Sequence, residues 1–526
     1  MRILITGHAG LFVRARDGRT VLCDPWFNGS YFGSWFPFPD NSGLDLDVLS
    51  SPDFLYVSHL HKDHFDARFL AEHVDKATTV LLPDFPLDDM RRAFEGIGFH
   101  SFVETRSGRR VDLDGLGVAI ATSTSVADGP IGDSALVVDD GETKILNQND
   151  CHPRELSALR ALGPYDVHFL QYSGAIWYPM VYRWSEEEKA ALSRDKRVRQ
   201  GQRALRYIEE IGARHVVPFA GPPAFLDDEL FALNDVDDDP TNIFEDQRSF
   251  LGVLQSHGVE RAHLAVAGAE IEIGPDRFDL TPAAGTRAMF ADKAAYLRAY
   301  QARRRGEIAA SVPSPVDPGD RADDSDELVG RLSAWIEPLL AGAPSVRRAL
   351  GSPVLLDVGR FGVTIDPAAG VVRRATRDDA ARAGHSFFFD ESLLRSLVER
   401  QVEDWVNELF LSCRFEASRR GGYNENVFSF FKCLSSRRME YLEASLELAE
   451  RAHESGAHPG ELWRCGDYLV QRQCPHLGAD LLRFGKVEDG VLTCSLHGNR
   501  YDIVTGKCLS AEGLDLFTVP AHDVEH

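Results

Sequence analysis

The chain has 526 residues and a formal net charge of −24, from 57 Lys+Arg against 81 Asp+Glu. At roughly 100–200 residues per domain this allows about three domains and an ample core. A hydrophobic share of 44% and a charged share of 26% exclude a disordered chain, and the acidic excess argues against general binding of nucleic acid or an anionic membrane.

In chain order, residues 2–6, 20–24, 54–58, 78–82, 117–121, 135–138 and 144–147 are short β-rich runs bounded by turn residues, and strands are predicted there. Residues 152–162 and 185–192 read as helical, the second opened by Ser185 with Glu188 at capping-box spacing. Strands that end in ligand-rich loops, with helices between, point to a layered α/β domain over residues 1–290 with its site at the strand ends. Residues 291–326 read as a helix and a linker, because 307–326 (EIAASVPSPVDPGDRADDSD) is rich in Pro, Asp and Ser and has no periodicity. Residues 327–340 and 391–411 are apolar at helical spacing around β-like runs at 354–357 and 362–365, so 327–456 is a middle α/β region without an assigned chemistry. Residues 457–526 are short-stranded and punctuated by glycine. No apolar run approaches the ~18 residues of a membrane span. The opening MRILITGHAG lacks a basic segment followed by an apolar stretch, so a cytoplasmic protein is expected.

Eight cysteines are too few for a disulfide framework in a chain of this length, and four of them (Cys465, Cys474, Cys494, Cys508) fall after residue 464. Cys474-Pro-His476 and Cys494-Ser-Leu-His497 present two thiolates and two imidazoles from two loops, able to bind one zinc or a [2Fe–2S] cluster. Zinc fingers group like ligands together. Here each loop gives one Cys and one His, which suits a cluster with both thiolates on one iron and both imidazoles on the other. The loops CPHLGADL and CSLHGNRYDIVTGKCL resemble a Rieske ferredoxin domain, of the type found in oxygenases and ferredoxins. Cys465 and Cys508 lie off the pattern and read as buried structural residues. A Rieske cluster carries one electron and has no open position for a substrate, so the chemistry is expected elsewhere.

After the β-rich FLYVS come His59, His61, Asp63 and His64, four candidate metal ligands within six residues of a loop leaving a buried strand. This H-x-H-x-D-H motif resembles the metallo-β-lactamase superfamily, as does KILNQND, where a strand ends in Asp150. The opening GHAGLFV with CDPWF resembles the branch containing ascorbate-phosphate lactonases and N-acyl-phosphatidylethanolamine phospholipases. Hydrolases of the superfamily add a further His in two places. Here Ser123-Thr-Ser-Val-Ala-Asp128 and Pro218-Phe-Ala-Gly-Pro222 stand there and contain none. Two histidines and a carboxylate leave open positions on a non-haem Fe(II). His59 and His61 are the first choice to join Asp150, with Asp63 and His64 as rivals or supporting groups, a dinuclear site being the other arrangement. His8, Asp128 and His152 are lesser candidates.

The stretches CDPWFNGSYFGSW, SHLHKDHFD, ILNQNDC, QYSGAIWYPMVY and VVPFAGPPAF together resemble the CMP-N-acetylneuraminate hydroxylase family, with the Rieske segment last in the chain rather than first. The resemblance implies an αββα metallo-β-lactamase-like sandwich, a middle α/β region and a small all-β Rieske domain. It implies an iron-dependent oxygenase, a monooxygenase or hydroxylase acting on a nucleotide-sugar-like or natural-product substrate with O2. Electrons would come from a ferredoxin or flavin reductase or a cytochrome, with no nucleic-acid or membrane partner and with a homo-oligomer left open. The rival is a lactonase- or phosphodiesterase-like metallo-hydrolase with a redox-sensing Rieske domain. Trp26, Phe27, Tyr31, Phe32, Trp35, Phe36 and Phe38 crowd one loop and residues 171–178 another, either as walls of a ring-binding pocket or as core. A basic stretch between Arg183 and Arg206 (Lys189, Arg194, Lys196, Arg197, Arg199, Arg203) is either an anion or partner site or a solvated helix face. No P-loop or dinucleotide fingerprint is present.

Overall fold

The computed structural model describes residues 1–124, 131–237, 239–314, 324–454, 461–475, 478–495, 498–510 and 514–521. Two compact units emerge, the first made of Met1–Thr124, Ile131–Ile176 and Ala190–Val312, the second of Trp177–Lys189 and the described residues from Pro313 onward. Among the described residues no helix is long and apolar enough to cross a membrane.

In the first unit an eight-stranded sheet runs Arg277–Thr281, Glu270–Gly274, Arg2–Gly7, Gly10–Arg14, Thr20–Cys23, Phe54–Tyr56, Thr79–Leu82, Phe102–Glu104. A six-stranded sheet runs His215–Phe219, Val167–Gln171, Lys144–Asn149, Asp133–Asp139, Leu116–Ser123, Arg110–Leu113. Alternation along each strand sorts the side chains. Val21 and Cys23 join Leu136, Ile145 and Phe169 in the core between the sheets. Leu22, Leu55 and Val80 face outward onto Phe69, Leu70 and Phe94 of the helices Ala67–His73 and Asp89–Ile97. Helix Gln247–Ser256 packs on strand His215–Phe219. This is the αββα sandwich expected from the sequence.

Strand direction decides where the loops meet. Thr20–Cys23, Phe54–Tyr56 and Thr79–Leu82 are parallel, and Arg2–Gly7 shares their direction through the antiparallel Gly10–Arg14. In the other sheet Lys144–Asn149, Val167–Gln171 and His215–Phe219 are parallel. His8, Asp24, the 58–66 loop, Asp150 and Ala220 therefore all follow strand carboxyl ends. His8, Asp24, Asn149 and Ala220 hold φ values of 37°, 40°, 42° and 51°. Left-handed backbone at four non-glycine strand ends is strain concentrated where the ligand-rich loops begin.

The predicted helix at 152–162 is shorter, Ser157–Leu162, because the Pro153 carbonyl is taken by the Tyr207 hydroxyl at 3.1 Å. The helix predicted at 185–192 begins where expected, with Glu188 N bonded to Ser185 Oγ at 3.2 Å, but continues as Glu186–Ile211. Helix Lys293–Ser311 takes up the front of the predicted linker, where Glu307 accepts a bond from Gly29 N at 2.6 Å.

The second unit has a five-stranded sheet ordered Val371–Arg374, Gly362–Asp366, Val354–Asp357, His385–Phe388, Glu416–Arg419. Its core is aromatic: Trp177 lies on Phe410 and Phe428, with ring centroids at 5.4 and 5.3 Å. The aromatic run around 171–178 is thus divided. Tyr172 stacks on Phe250 in the first unit, whereas Trp177 is core of the second. The predicted helix at 391–411 ends at Glu399 and is followed by a π-turn at Val406–Phe410. Two small three-stranded sheets complete the chain: Leu462–Cys465, Tyr468–Gln471, Thr518–Pro520, and Gly485–Glu488, Val491–Cys494, Arg500–Asp502.

His385 sits in the aromatic core, edge-on to Phe428, with neither ring nitrogen hydrogen-bonded among the described residues. Burial, assisted by Arg419, pulls its pKa down to about 4. An unfolded histidine titrates near 6.5, so between about pH 6.5 and 4 the unfolded chain binds the extra proton and acidification removes stability. The loss expected from this one group is about 3 kcal/mol. Denaturant titrations at pH 7 and pH 4.5 should show a smaller decline for His385→Leu than for the parent chain; an equal decline would disprove the assignment.

Candidate metal centre

His64 is the hub of the first unit's strand-end cluster. It is fully buried, with Nε2 at 3.6 Å from Asp150 Oδ2 and 3.8 Å from Asp63 Oδ2, and Nδ1 at 3.6 Å from Asp24 Oδ1. His8 Nε2 lies 3.1 Å from Asp63 Oδ2. Among the described residues, donor atoms of His8, His64 and Asp150 come within 4.8 Å of one another. His59 stands beside them, its ring 4.2 Å from that of His64 and 4.5 Å from that of His61, with Nδ1 at 3.4 Å from Asp133. Asp150 is therefore met by His64 and His8, whereas the sequence put His59 and His61 first and His8 among the lesser candidates. His152 lies with its ring parallel to Tyr207, outside that triad. Asp128 is outside the described residues.

Neighbouring groups fix the donors. Ser58 Oγ is 3.0 Å from His59 Nδ1 and 3.1 Å from His64 Nδ1, and Asp24 Oδ1 accepts from Ser58 N at 2.7 Å. Tyr31 donates its hydroxyl to Asp63 Oδ1, and Trp26 sits edge-on to His8. Ala220 N donates to His8 O at 3.0 Å, so the late loop that lacks a histidine holds the backbone of one supplied by the first strand. Phe36 and Phe38 instead pack into a core with Leu297 and Tyr300.

The electrostatics fit a cation. Burial pushes Asp63 up, yet the imidazoles of His64 and His8 outweigh it and hold the carboxyl far below the usual range. Burial pushes His64 down, and Asp150 and Asp63 overcome it, so its pKa lies well above normal. His59 is driven well below its ordinary value, first by burial and then by His64 and His61. His64 Nε2 and Asp150 Oδ1 are buried without a hydrogen-bond partner among the described residues. Asp24, Asp63 and Asp150, gathered around His8, His59 and His64, are costly to bury unless positive charge meets them. The donor set, N and O without sulfur, suits a metal of the iron or zinc class.

In the tail, two loops share one backbone pattern. Cys474 N donates to Ala479 O at 2.8 Å and Gly478 N to Cys474 O at 2.7 Å. Cys494 N donates to Asn499 O at 2.8 Å and Gly498 N to Cys494 O at 2.7 Å. Gly478 and Gly498, at φ 69° and 75°, make the turns that a side chain would strain. Both cysteines are buried and in no disulfide. Tyr501 lies with its hydroxyl 3.0 Å from Cys474 Sγ; burial, then Cys474, raises its pKa. Matched buried thiols at two tight turns fit the cysteine half of a cluster site. His476 and His497 lie outside the described residues. Cys465 is in a strand, and Cys508 N bonds Asp515 Oδ1 at 2.9 Å.

Two family descriptions match the chain: Rv3818-like, SCP2-like domain over residues 328–447, and Rieske [2Fe-2S] domain over residues 450–520. The tail is accordingly a Rieske domain. The Rieske 2Fe-2S iron-sulfur protein Rv3818 of Mycobacterium tuberculosis is 43% identical over 526 residues, covering 98% of this chain and 99% of its own. The cytidine monophosphate-N-acetylneuraminic acid hydroxylase of Mus musculus is 26% identical over 238 residues, 42% of this chain and 39% of its own. Among solved structures, CmlA, a diiron β-hydroxylase from Streptomyces venezuelae, aligns at TM-score 0.33 and 17% identity over 52% of this chain and 54% of its own.

Proposed function

This chain belongs to the family of the mycobacterial Rieske 2Fe-2S iron-sulfur proteins, and on that premise we propose that it is an iron-dependent oxygenase. It would hydroxylate a C–H or N–H bond of a small polar metabolite, a nucleotide-sugar-like compound or a natural-product intermediate. The balance is R–H + O2 + two electrons + two protons giving R–OH + H2O. The electrons come one at a time from an external ferredoxin or flavin reductase, or a cytochrome, through the cluster. The observation that carries this reading is a buried His/Asp donor set at the strand ends in a chain that also has a Rieske domain. Similarity to the mouse hydroxylase supports it.

We place the catalytic domain in residues 1–290 and the Rieske domain in 457–526, joined by 291–326 and 327–456. His64, His8 and Asp150 would hold one Fe(II), a two-histidine, one-carboxylate set, with Asp63, His59 and His61 able to share it or to hold a second metal. Cys474, His476, Cys494 and His497 would hold the cluster. Bound iron supplies O2 activation with electrons taken from the cluster. Ser58 orients the rings of His59 and His64 through Nδ1, and its own hydroxyl is fixed by Asp24. Tyr31 holds Asp63 by donating to Oδ1. Buried Trp26, Tyr31 and Trp35 keep water from this side of the donor set.

The test is O2 uptake by iron-loaded, reductant-supplied protein against a panel of nucleotide sugars and amine metabolites, with product masses measured. Substrate-dependent uptake and a product one oxygen atom heavier are expected. A product formed equally without O2, with zinc in the donor set, would instead establish a hydrolase.

A further inference from the structure

The helix Glu186–Ile211 carries a face that the metal donors do not use. Lys196, Gln200, Arg203 and Tyr207 recur at helical spacing, so they share one side. That side meets the loop after Asn149: Tyr207 donates to Pro153 O at 3.1 Å, its ring lies parallel to that of His152, and Arg203 is within electrostatic reach of Asp150. Gln200 is pressed against Gly174, where an added Cβ would lie 3.0 Å from Gln200 Nε2.

Two polar groups on this face are unsatisfied. Gln200 is only 7% exposed and its Oε1 has no hydrogen-bond partner among the described residues. The Nε of Arg203 is buried without a hydrogen-bond partner among the described residues. Burial lowers the Arg203 pKa against the opposing pull of Tyr207 and Asp150, and Lys196 is pushed down to about 7 by burial, then by Arg203 and Arg199. A guanidinium whose Nε is buried without a partner needs an anion close by. Asp150 faces the metal donors as well, so it does not satisfy Arg203 alone.

We propose that the Lys196–Gln200–Arg203 face is the anion-binding wall of the substrate site, taking an oxyanion group, phosphate or carboxylate, of the molecule whose reacting bond sits at the Asp150 donors. This deepens the oxygenase reading and rests on it for the identity of the site. The planar guanidinium suits bidentate contact with either oxyanion, Lys196 adds charge, and Gln200 Oε1 accepts from a hydroxyl or N–H of the same ligand.

Calorimetric titration of the iron-loaded full chain with inorganic phosphate tests it. Binding at one site is expected, weakened about tenfold or more by Arg203→Met and also weakened by Lys196→Met, and unchanged by Arg194→Met on the exposed face. Thermal melts monitor folding. If Arg203→Met does not fold, Arg203→Lys decides: lost fork geometry should still weaken phosphate severalfold, and parental affinity overturns the proposal. No phosphate binding by the parent chain, or equal binding by Arg203→Met, also overturns it. A failure of O2 uptake with Arg203-dependent phosphate binding would remove the oxygenase reading and leave the anion site standing.

Discussion

Replacing His64 with alanine is expected to empty the strand-end site of iron and to lower substrate-coupled O2 uptake by at least about 10²-fold, while the cluster's visible absorption persists. The expectation follows from position. His64 is wholly buried, and its two nitrogens face Asp150 and Asp63 on one side and Ser58 and Asp24 on the other. Alanine removes a donor and leaves three carboxylates around a void, where like charges drive proton uptake and weaken the hold on a cation. Ser58→Ala is a milder companion. It removes a group that orients the rings through Nδ1 and leaves the donor side chains in place, and the cost of losing such a partner is about 10–100-fold in metal affinity or activity. Full activity in His64→Ala would contradict the assignment.

Cys494→Ser is expected to have the complementary effect. Cys494 is fully buried at the end of Val491–Cys494, its backbone bonded to Asn499 and Gly498. Removing the thiolate should abolish the cluster and its visible absorption and reduce substrate-coupled O2 uptake to background, with iron in the strand-end site retained. Cys508→Ser should keep the cluster, because that residue stands outside the two Cys/His motifs and its backbone N bonds Asp515. A coloured, active Cys494→Ser protein would rule out this ligand.

Both candidate ligand segments were legible because their residues are close in sequence. His59, His61, Asp63 and His64 leave a single strand, and the tail pairs Cys with His twice. The nearness of His8 to Asp150 and His64 was not legible for a topological reason: its strand reaches the 58–66 loop only after the hairpin Gly10–Arg14 and Thr20–Cys23 fold back beside it. The trace it leaves in sequence is Gly7 before it, at φ 127°, a conformation that side chains disfavour. Arg203 was read as part of a charge run. Its neighbours Arg199 and Arg206 behave that way, pairing with Asp195 and Glu209, and only the face toward the 150–154 loop sets Arg203 apart. The division of the aromatic run was not legible either, since Tyr172 and Trp177 are chemically alike and only tertiary packing assigns them to different cores.

The most direct measurement is Mössbauer spectroscopy with metal counting on ⁵⁷Fe-loaded parent chain, His64→Ala and Cys494→Ser. About three irons are predicted in the parent, two in the cluster and one high-spin ferrous ion with nitrogen and oxygen ligands. The ferrous signal alone should vanish in His64→Ala, and the cluster signal alone in Cys494→Ser. Zinc in place of the ferrous ion, or a ferrous signal undiminished by loss of His64, would contradict the account.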